Sequence, residues 1–397
     1  MSNSNDVLTY LKEESTYGTA ATGNYATLRI TGETLKTVLA TQASDELGSR
    51  RVKDVARTDR KVEGQINARW SYKNTDELFR GALCAADVAA WSTVITSVVD
   101  ATNTLSCPAT PNTIKWGGAS PQSWTALGYA VGDWIRVKGF TTNGSEFRCR
   151  ITAIANGTAT NDLATVDHFT TATESGITSG EVEKGGTITD GSTEHFYSME
   201  RRYSDLASNF RMFTGLEVGS LNISCRANGL AEISASMLGK LETFASSTGA
   251  GTPTAAQTGR LINGIDHVRA VLIDGTEFSM SEWSIAIQNN LRERNVFGEL
   301  GPESIGRGQF GTVISMNAYY ANNTNLAKLL AFTDTSSAFE VLDASGNSYI
   351  IHCPAGNFTY GSATPEGNNT DVRQPLVFTS KESSTYSYQT RIVRWDV

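Results

Sequence analysis

Between Lys61 and Tyr72 the chain alternates without a break, with Val62, Gly64, Ile66, Ala68, Trp70 and Tyr72 on one side and Lys61, Glu63, Gln65, Asn67, Arg69 and Ser71 on the other. A two-residue period is that of an extended strand with one buried and one wetted face. The period then changes to that of a helix over "NTDELFRGALC". Asn74 is placed to cap it, Glu77 completes a capping-box pattern three residues on, and Leu78, Phe79, Ala82 and Leu83 form the apolar stripe.

The same strand-to-helix pattern returns as "FGTVISMNAYYANNTNLAKLLAF", residues 310–332. An ungapped match sets Gly64 against Gly311, Ile66 against Val313, Tyr72 against Tyr319 and Phe79 against Leu326. It also sets Arg69 against Met316, which puts the apolar faces out of step unless a bulge intervenes. Outside this core, "LRITGETL" (28–35) resembles "VLIDGTEF" (271–278). Later strands follow in both halves. "LNISCRANGLAEISASML" alternates through Leu221, Ile223 and Cys225 and turns at Asn228-Gly229. "FEVLDASGNSYIIHC" and "PLVFTSKESSTYSYQTRIVRW" do the same service in the second half.

The pattern predicts a mainly β protein of two tandem β-sandwich domains, each with a short flanking α-helix, plus a small inserted β domain in the first. The expected boundaries are an N-terminal arm at 1–22, a first domain at 23–91 and 195–245, an insert at 92–194, a linker at 246–259 and a second domain at 260–397. The insert shows short strands with Asn143-Gly144 and Asn156-Gly157 turns, and its exit, "TTATESGITSGEVEKGGTITDGST", reads as a flexible return.

The chain of 397 residues has 39% hydrophobic and 19% charged residues, a globular rather than disordered composition, and its 36 Gly against 8 Pro fit many turns between short strands. A net charge of -8 argues against a nucleic-acid binder, whose affinity comes from clustered Lys and Arg. The one basic stretch, "RRVKDVARTDRK" (50–61), is interrupted by Asp54 and Asp59 and reads as a solvated or interface face. No apolar run reaches membrane-spanning length and the start lacks a secretion signal, so a cytosolic site of synthesis is expected. Five widely spaced cysteines, Cys84, Cys107, Cys149, Cys225 and Cys353, form no disulfide or zinc pattern and read as buried thiols.

"GRGQFG" (306–311) matches the dinucleotide fingerprint, but a loop precedes it and a strand follows it, so the strand-turn-helix that cradles a pyrophosphate is missing. His168, His195, His267 and His352 are scattered, and no hydrolase, zinc-protease or phosphate-loop motif accompanies them. No enzyme activity, metal or cofactor is expected. Trp116, Trp124, Tyr129 and Trp134 in the insert either fill its core or offer stacking surfaces for sugar rings, the latter giving the alternative of a carbohydrate- or receptor-binding virion protein.

"LKEESTYGTAA", "SRRVKDVARTDRKVEGQINARWSY" with "TDELFRGALC", "GDWIRVKGF" and "FYSMERRYSDLASNFRMFTGLEVGSLNISC" resemble the tail tube (major tail) proteins of long-tailed bacteriophages. The resemblance implies a virion protein, assembled in the host cytoplasm, whose β-sandwich subunits close into rings and stack as a conduit through which DNA passes without specific binding. It implies tape measure and tail terminator or tip proteins as further partners, and it brings no catalytic residues. Single-copy members form hexamers, so two copies per chain lead to the expectation of a three-chain ring with pseudo-sixfold symmetry and the insert on its outside. The polar face of Lys61, Glu63, Gln65, Asn67, Arg69 and Ser71 is the candidate for the lumen or for a neighbouring subunit.

Overall fold

A computed structural model describes residues 3–47, 50–86, 91, 94–110, 112–155, 162–365 and 367–396. The alternation around Ile66 is realised in a long strand. In the first half the elements are β1 (Val7–Glu13), β2 (Gly32–Glu33), β3 (Lys36–Ala43), β4 (Val55–Arg69) and α1 (Asp76–Leu83). After the insert come β5 (Gly186–Thr189), β6 (Tyr197–Tyr203), β7 (Phe210–Arg226), β8 (Glu232–Gly239) and β9 (Leu241–Ala245). The second half holds β10 (Val268–Ile273), β11 (Met280–Gln288), β12 (Arg292–Arg294), β13 (Ser304–Gly306), β14 (Gly311–Tyr319), α2 (Thr324–Ala331), β15 (Ser337–Leu342), β16 (Ser348–Cys353), β17 (Gly356–Gly361), β18 (Arg373–Ser380) and β19 (Arg391–Trp395).

One antiparallel sheet runs through both halves in the order β3-β4-β8-β7-β11-β14-β18-β17. Its first four strands and its last four have the same arrangement: an edge strand, the strand that leads into the helix, and a hairpin folded back beside it. The halves meet where β7 pairs with β11 from Ser220↔Gln288 to Arg226↔Glu282. Val62, Ile66, Ile223, Ile233, Ile285 and Ile314 all point to one side of this sheet and are buried there. The full burial of each such side chain stabilises the fold by about 1.5–3 kcal/mol.

A second layer covers that apolar side. In the first half it is β1-β6-β7-β9, because the N-terminal part of the 17-residue β7 pairs with β6 and β9 before the strand enters the long sheet. In the second half it is β10-β15-β16-β19. The change of layer within β7 falls beside Gly215, whose φ of +66° is in the left-handed region that favours glycine. The Glu14 carboxylate fastens this point, accepting from the Gly215 N–H, the Gly18 N–H and the Ser198 hydroxyl at 2.7–2.8 Å.

The repeat is present, but its register differs from the ungapped match. Buried Ile66 and Ala68 correspond to Ile314 and Met316, one residue further on, since a slip of one residue would turn every side chain to the other face. Likewise "LRITGETL" lies beside β4 as β11 lies beside β14, whereas "VLIDGTEF" belongs to the second layer. The helix caps also differ. Asn74 does not cap α1; its side chain bonds to the N–H and C=O of Arg29 (2.9 and 3.0 Å), and Thr75 occupies the N-cap. Before α2, Asn322 Oδ1 accepts from the Thr324 N–H at 2.9 Å.

Among the described residues the insert forms eight antiparallel strands between Ile95 and Lys184, around a core that includes Trp116, Trp124, Tyr129 and Phe147. Its exit is not a loose return: it carries the strands Glu174–Ile177 and Gly180–Lys184, then β5, which extends the second half's outer layer by pairing with β19. The Asn156-Gly157 turn lies outside the described residues. Residues 246–259 are pinned rather than free, with Thr254 exchanging main-chain bonds with Tyr25 and Thr27, and Gly249 N–H donating to Glu200 at 2.6 Å.

Candidate functional site

The side of the long sheet that faces away from the core is mostly polar, although the register also sets Val38, Leu238, Val313 and Val377 on it. Alternation carries Lys61, Glu63, Gln65, Asn67 and Arg69 to it. Cross-strand pairing continues the rows: Gln65 lies opposite Ser236, Ser236 opposite Ser220 and Ser220 opposite Gln288. In the next row Asn67, Ser234, Asn222 and Ala286 follow one another, and beyond it Arg69, Glu232, Ser224, Ser284 and Ser315. Ser71 does not join this face. The chain leaves β4 after Arg69, and Ser71 bridges to Leu261 with 1% of its surface exposed, because the segment entering the second half covers it.

Small hydroxyl and amide groups dominate the middle, and several bond to one another. Ser234 Oγ donates to Asn67 Oδ1 at 2.7 Å, and Ser220 and Ser236 share a bond of 2.8 Å. Three cations on this side are paired with carboxylates. Arg69 meets Glu232, Arg226 Nε lies 3.2 Å from Glu282, and Lys61 Nζ lies 2.7 Å from Glu293 and 3.4 Å from Glu63. The Glu293 hydrogen bond raises the Lys61 ammonium above its ordinary range, so it stays charged and engaged. The result is a broad, weakly charged surface on which Lys61, Arg69 and Arg226 are matched, while Arg373 at its second-half end bonds the Ser281 hydroxyl at 2.8 Å.

The serine-rich part of the face was absent from the sequence-based candidates, although its signal was present. "NISCR", "EISASM" and "EWSIAI" alternate as regularly as β4 does, with Ser or Asn at the wetted positions. What the sequence lacked was the order of strands, which brings residues 65, 236, 220 and 288 into one row.

At the two ends of the sheet, the β2–β3 edge and β17 each have a single strand neighbour, and no other strand pairs with them among the described residues. The ends differ from the middle in their helices as well. α1 is buried through Leu78, Phe79, Ala82 and Leu83, while α2 leaves Leu330 87% and Phe332 64% exposed.

Elsewhere the chemistry-bearing residues are structural. Gly306 closes β13 and Gly311 opens β14, and Arg307 between them pairs with buried Glu217. Trp116, Trp124, Tyr129 and Trp134 are at most 2% exposed, which leaves them no face for a sugar ring and removes the basis of the carbohydrate reading. All five cysteines are buried and free. Burial pushes the Cys107 and Cys353 thiols up to about 12, so both are protonated and unreactive. Among the described residues no cluster of His, Cys, Asp or Glu is arranged to hold a metal, and no helix is long and apolar enough to cross a membrane.

A family model described as phage tail tube protein matches residues 4–380. No curated protein matches the chain.

Proposed function

Because the chain belongs to the phage tail tube protein family, we propose that three copies close into one ring with pseudo-sixfold symmetry, and that such rings stack into the conduit for genomic DNA. The observation that carries this reading is the β7·β11 junction. Within the chain, the fourth strand of one half pairs with the edge strand of the next half. The equivalent fourth strand of the second half is β17 and the equivalent edge strand of the first is β2–β3, both open. Repeating the same junction between copies joins the sheets into a closed barrel and leaves no edge, the usual resolution of an exposed strand.

Closure also chooses a lumen. The apolar side of the sheet is occupied by the second layer and the core, so the side free to line a channel is that of Glu63, Gln65, Asn67, Arg69 and the serines of β7, β8 and β11. Its neutral amides and hydroxyls, with Lys61, Arg69 and Arg226 each matched to a carboxylate, give phosphates few cations to hold, which suits a duplex that must slide. The insert packs against the second layer and so belongs on the outside.

In this reading the chain divides into the arm 1–22, the first unit 23–91 with 195–245, the insert 92–194, the linker 246–259 and the second unit 260–397. The protein is a structural component of the virion tail, assembled in the host cytoplasm, with tape measure and terminator or tip proteins at the ends of the tube and no catalytic role. Native mass spectrometry of isolated rings tests it: a mass three times the 42.7 kDa chain is expected. Six chains per ring, or no ring at any concentration, would end it.

A further inference from the structure

The two helices occupy equivalent places, yet one is covered and the other is not. Each spans eight residues, follows the same strand and ends on a left-handed residue, Cys84 (φ +48°) or Phe332 (φ +50°). Aligning the helices sets buried Ala82 against exposed Leu330 and buried Cys84 against exposed Phe332. α1 is covered partly by its own half, through Tyr197 and Val218 at Gly81, and partly by the other half of the chain. At its head, Asp76 accepts from the Tyr349 hydroxyl at 2.6 Å and pairs with Arg394, while the Tyr349 ring packs on Phe79 and Trp70. At its tail, the Cys84 thiol lies 3.7 Å from Asn289 Oδ1, just past β11.

Tyr349 and Arg394 are direct cross-strand partners on β16 and β19. The strands that hold the same places in the first half are β7 and β9, and there Arg211 and Phe244 are direct cross-strand partners. They again form an aromatic-and-arginine pair, with the guanidinium 5.1 Å from the ring centre and 3.5 Å from Glu242 Oε1 on the same strand as Phe244, but no helix of the described residues covers the ring: Phe244 is 72% exposed. One helix with an exposed apolar end, Leu330 and Phe332, and one exposed aromatic receptor, Phe244, thus remain in each chain, at opposite ends of the long sheet.

We propose that α2 of one copy docks on the Arg211–Phe244 pair of the next, as α1 docks on Tyr349–Arg394 within the chain. The occupant is a second copy of this chain, and the contact is head-to-tail, which closes a ring rather than a two-fold dimer. Leu330 and Phe332 are then buried beside the β2–β3 edge, where Leu39 is exposed. The inference rests on the ring reading above and adds the surface that specifies which edges meet.

Two variants test it, Leu330→Asp in the helix and Phe244→Asp in the receptor. Each is expected to stay folded by circular dichroism, since both side chains are exposed, and to form no rings. Mixed together they are expected to form dimers and stop there, because the intact helix of Phe244→Asp meets the intact receptor of Leu330→Asp. As a check independent of these charges, Thr324→Cys and Ala245→Cys chains, both altered at exposed positions that leave the Arg211–Phe244 pair intact, should cross-link with a short bismaleimide only when mixed. Rings from both aspartate variants, or no cross-link in the mixture, overturn this interface while the ring reading stands. An unaltered chain that stays single at every concentration overturns the ring reading itself.

Discussion

Arg201 on β6 donates a hydrogen bond from Nη2 to the main-chain carbonyl of Leu35 at 2.7 Å, on the open edge of the long sheet. Neighbouring groups on that edge are held in the same way. The Leu35 N–H donates to Glu33 Oε2 at 2.9 Å, and the Thr37 N–H donates to Glu242 Oε2 at 3.1 Å. Side chains therefore occupy the outward donors and acceptors that another strand would need, which protects a single chain from indiscriminate edge pairing.

This arrangement makes ring formation a displacement. Glu33→Ala frees the Leu35 N–H and leaves the Arg201 guanidinium without its carboxylate. The single chain is expected to lose about 3 kcal/mol of stability, the scale for removing one member of a buried ion pair. Tube growth followed by light scattering, with tubes verified by electron microscopy, is expected to begin sooner than for the unaltered chain at equal concentration. A lag that is unchanged or longer would show that these side chains do not restrain the edge.

Acid should weaken the fold through Glu13, which anchors the C-terminal end of β1 to α1. Burial works against its charge, but hydrogen bonds from His195 (2.7 Å) and Arg80 outweigh that and hold the carboxyl at about 2, against an ordinary 4.5. A depressed folded value means that the charged group stabilises the fold above pH 4.5, and that this contribution is lost as pH falls toward 2. Glu13→Gln is therefore expected to melt lower than the unaltered chain at pH 6, with the difference shrinking steadily between pH 4.5 and 2. Equal melting temperatures at pH 6 would refute the assignment.

The insert is held to the second half by a joint centred on Trp134, which is 2% exposed and packs with Ala338, Ile350, Val393 and Trp395. Arg148 adds an ion pair with Glu340 at 2.9 Å and lies over the Trp395 ring. Trp134→Ala should remove about 3 kcal/mol at this joint. The consequence is local: hydrogen exchange should quicken at 348–353 and 391–395 and remain unchanged at 220–226 in the β7·β11 junction. Uniform acceleration would mean that the joint supports the whole fold.

How much of this was legible beforehand depends on the range of the interaction involved. The alternation of Lys61 to Arg69 and the α1 stripe are local patterns, and both elements formed where the pattern put them. Asn74 misled because its side chain found the Arg29 main chain, a partner distant in sequence that no local rule contains. Equating "LRITGETL" with "VLIDGTEF" failed for a related reason: similar letters entered different layers, and only strand pairing distinguishes them. Trp134 looked like any aromatic of a small β core, and its place at a joint required knowing what the insert packs against.

The polar face offers the most direct test of a lumen. Asn222 and Ser284 lie on β7 and β11 at the junction of the halves, among neutral neighbours and with no carboxylate directly opposite either one. Lysine at either position would add a cation that nothing across the strand neutralises, repeated in every ring of a tube. Duplex DNA entering such a tube should be retained at low salt and released as salt rises, with the logarithm of affinity falling by about 0.9 for each phosphate engaged per unit of log salt. Asn222→Asp, which alters the same position with the opposite sign, should retain nothing. DNA release from Asn222→Lys tubes at the same rate as from unaltered ones, at low salt, would mean that this face does not line the channel.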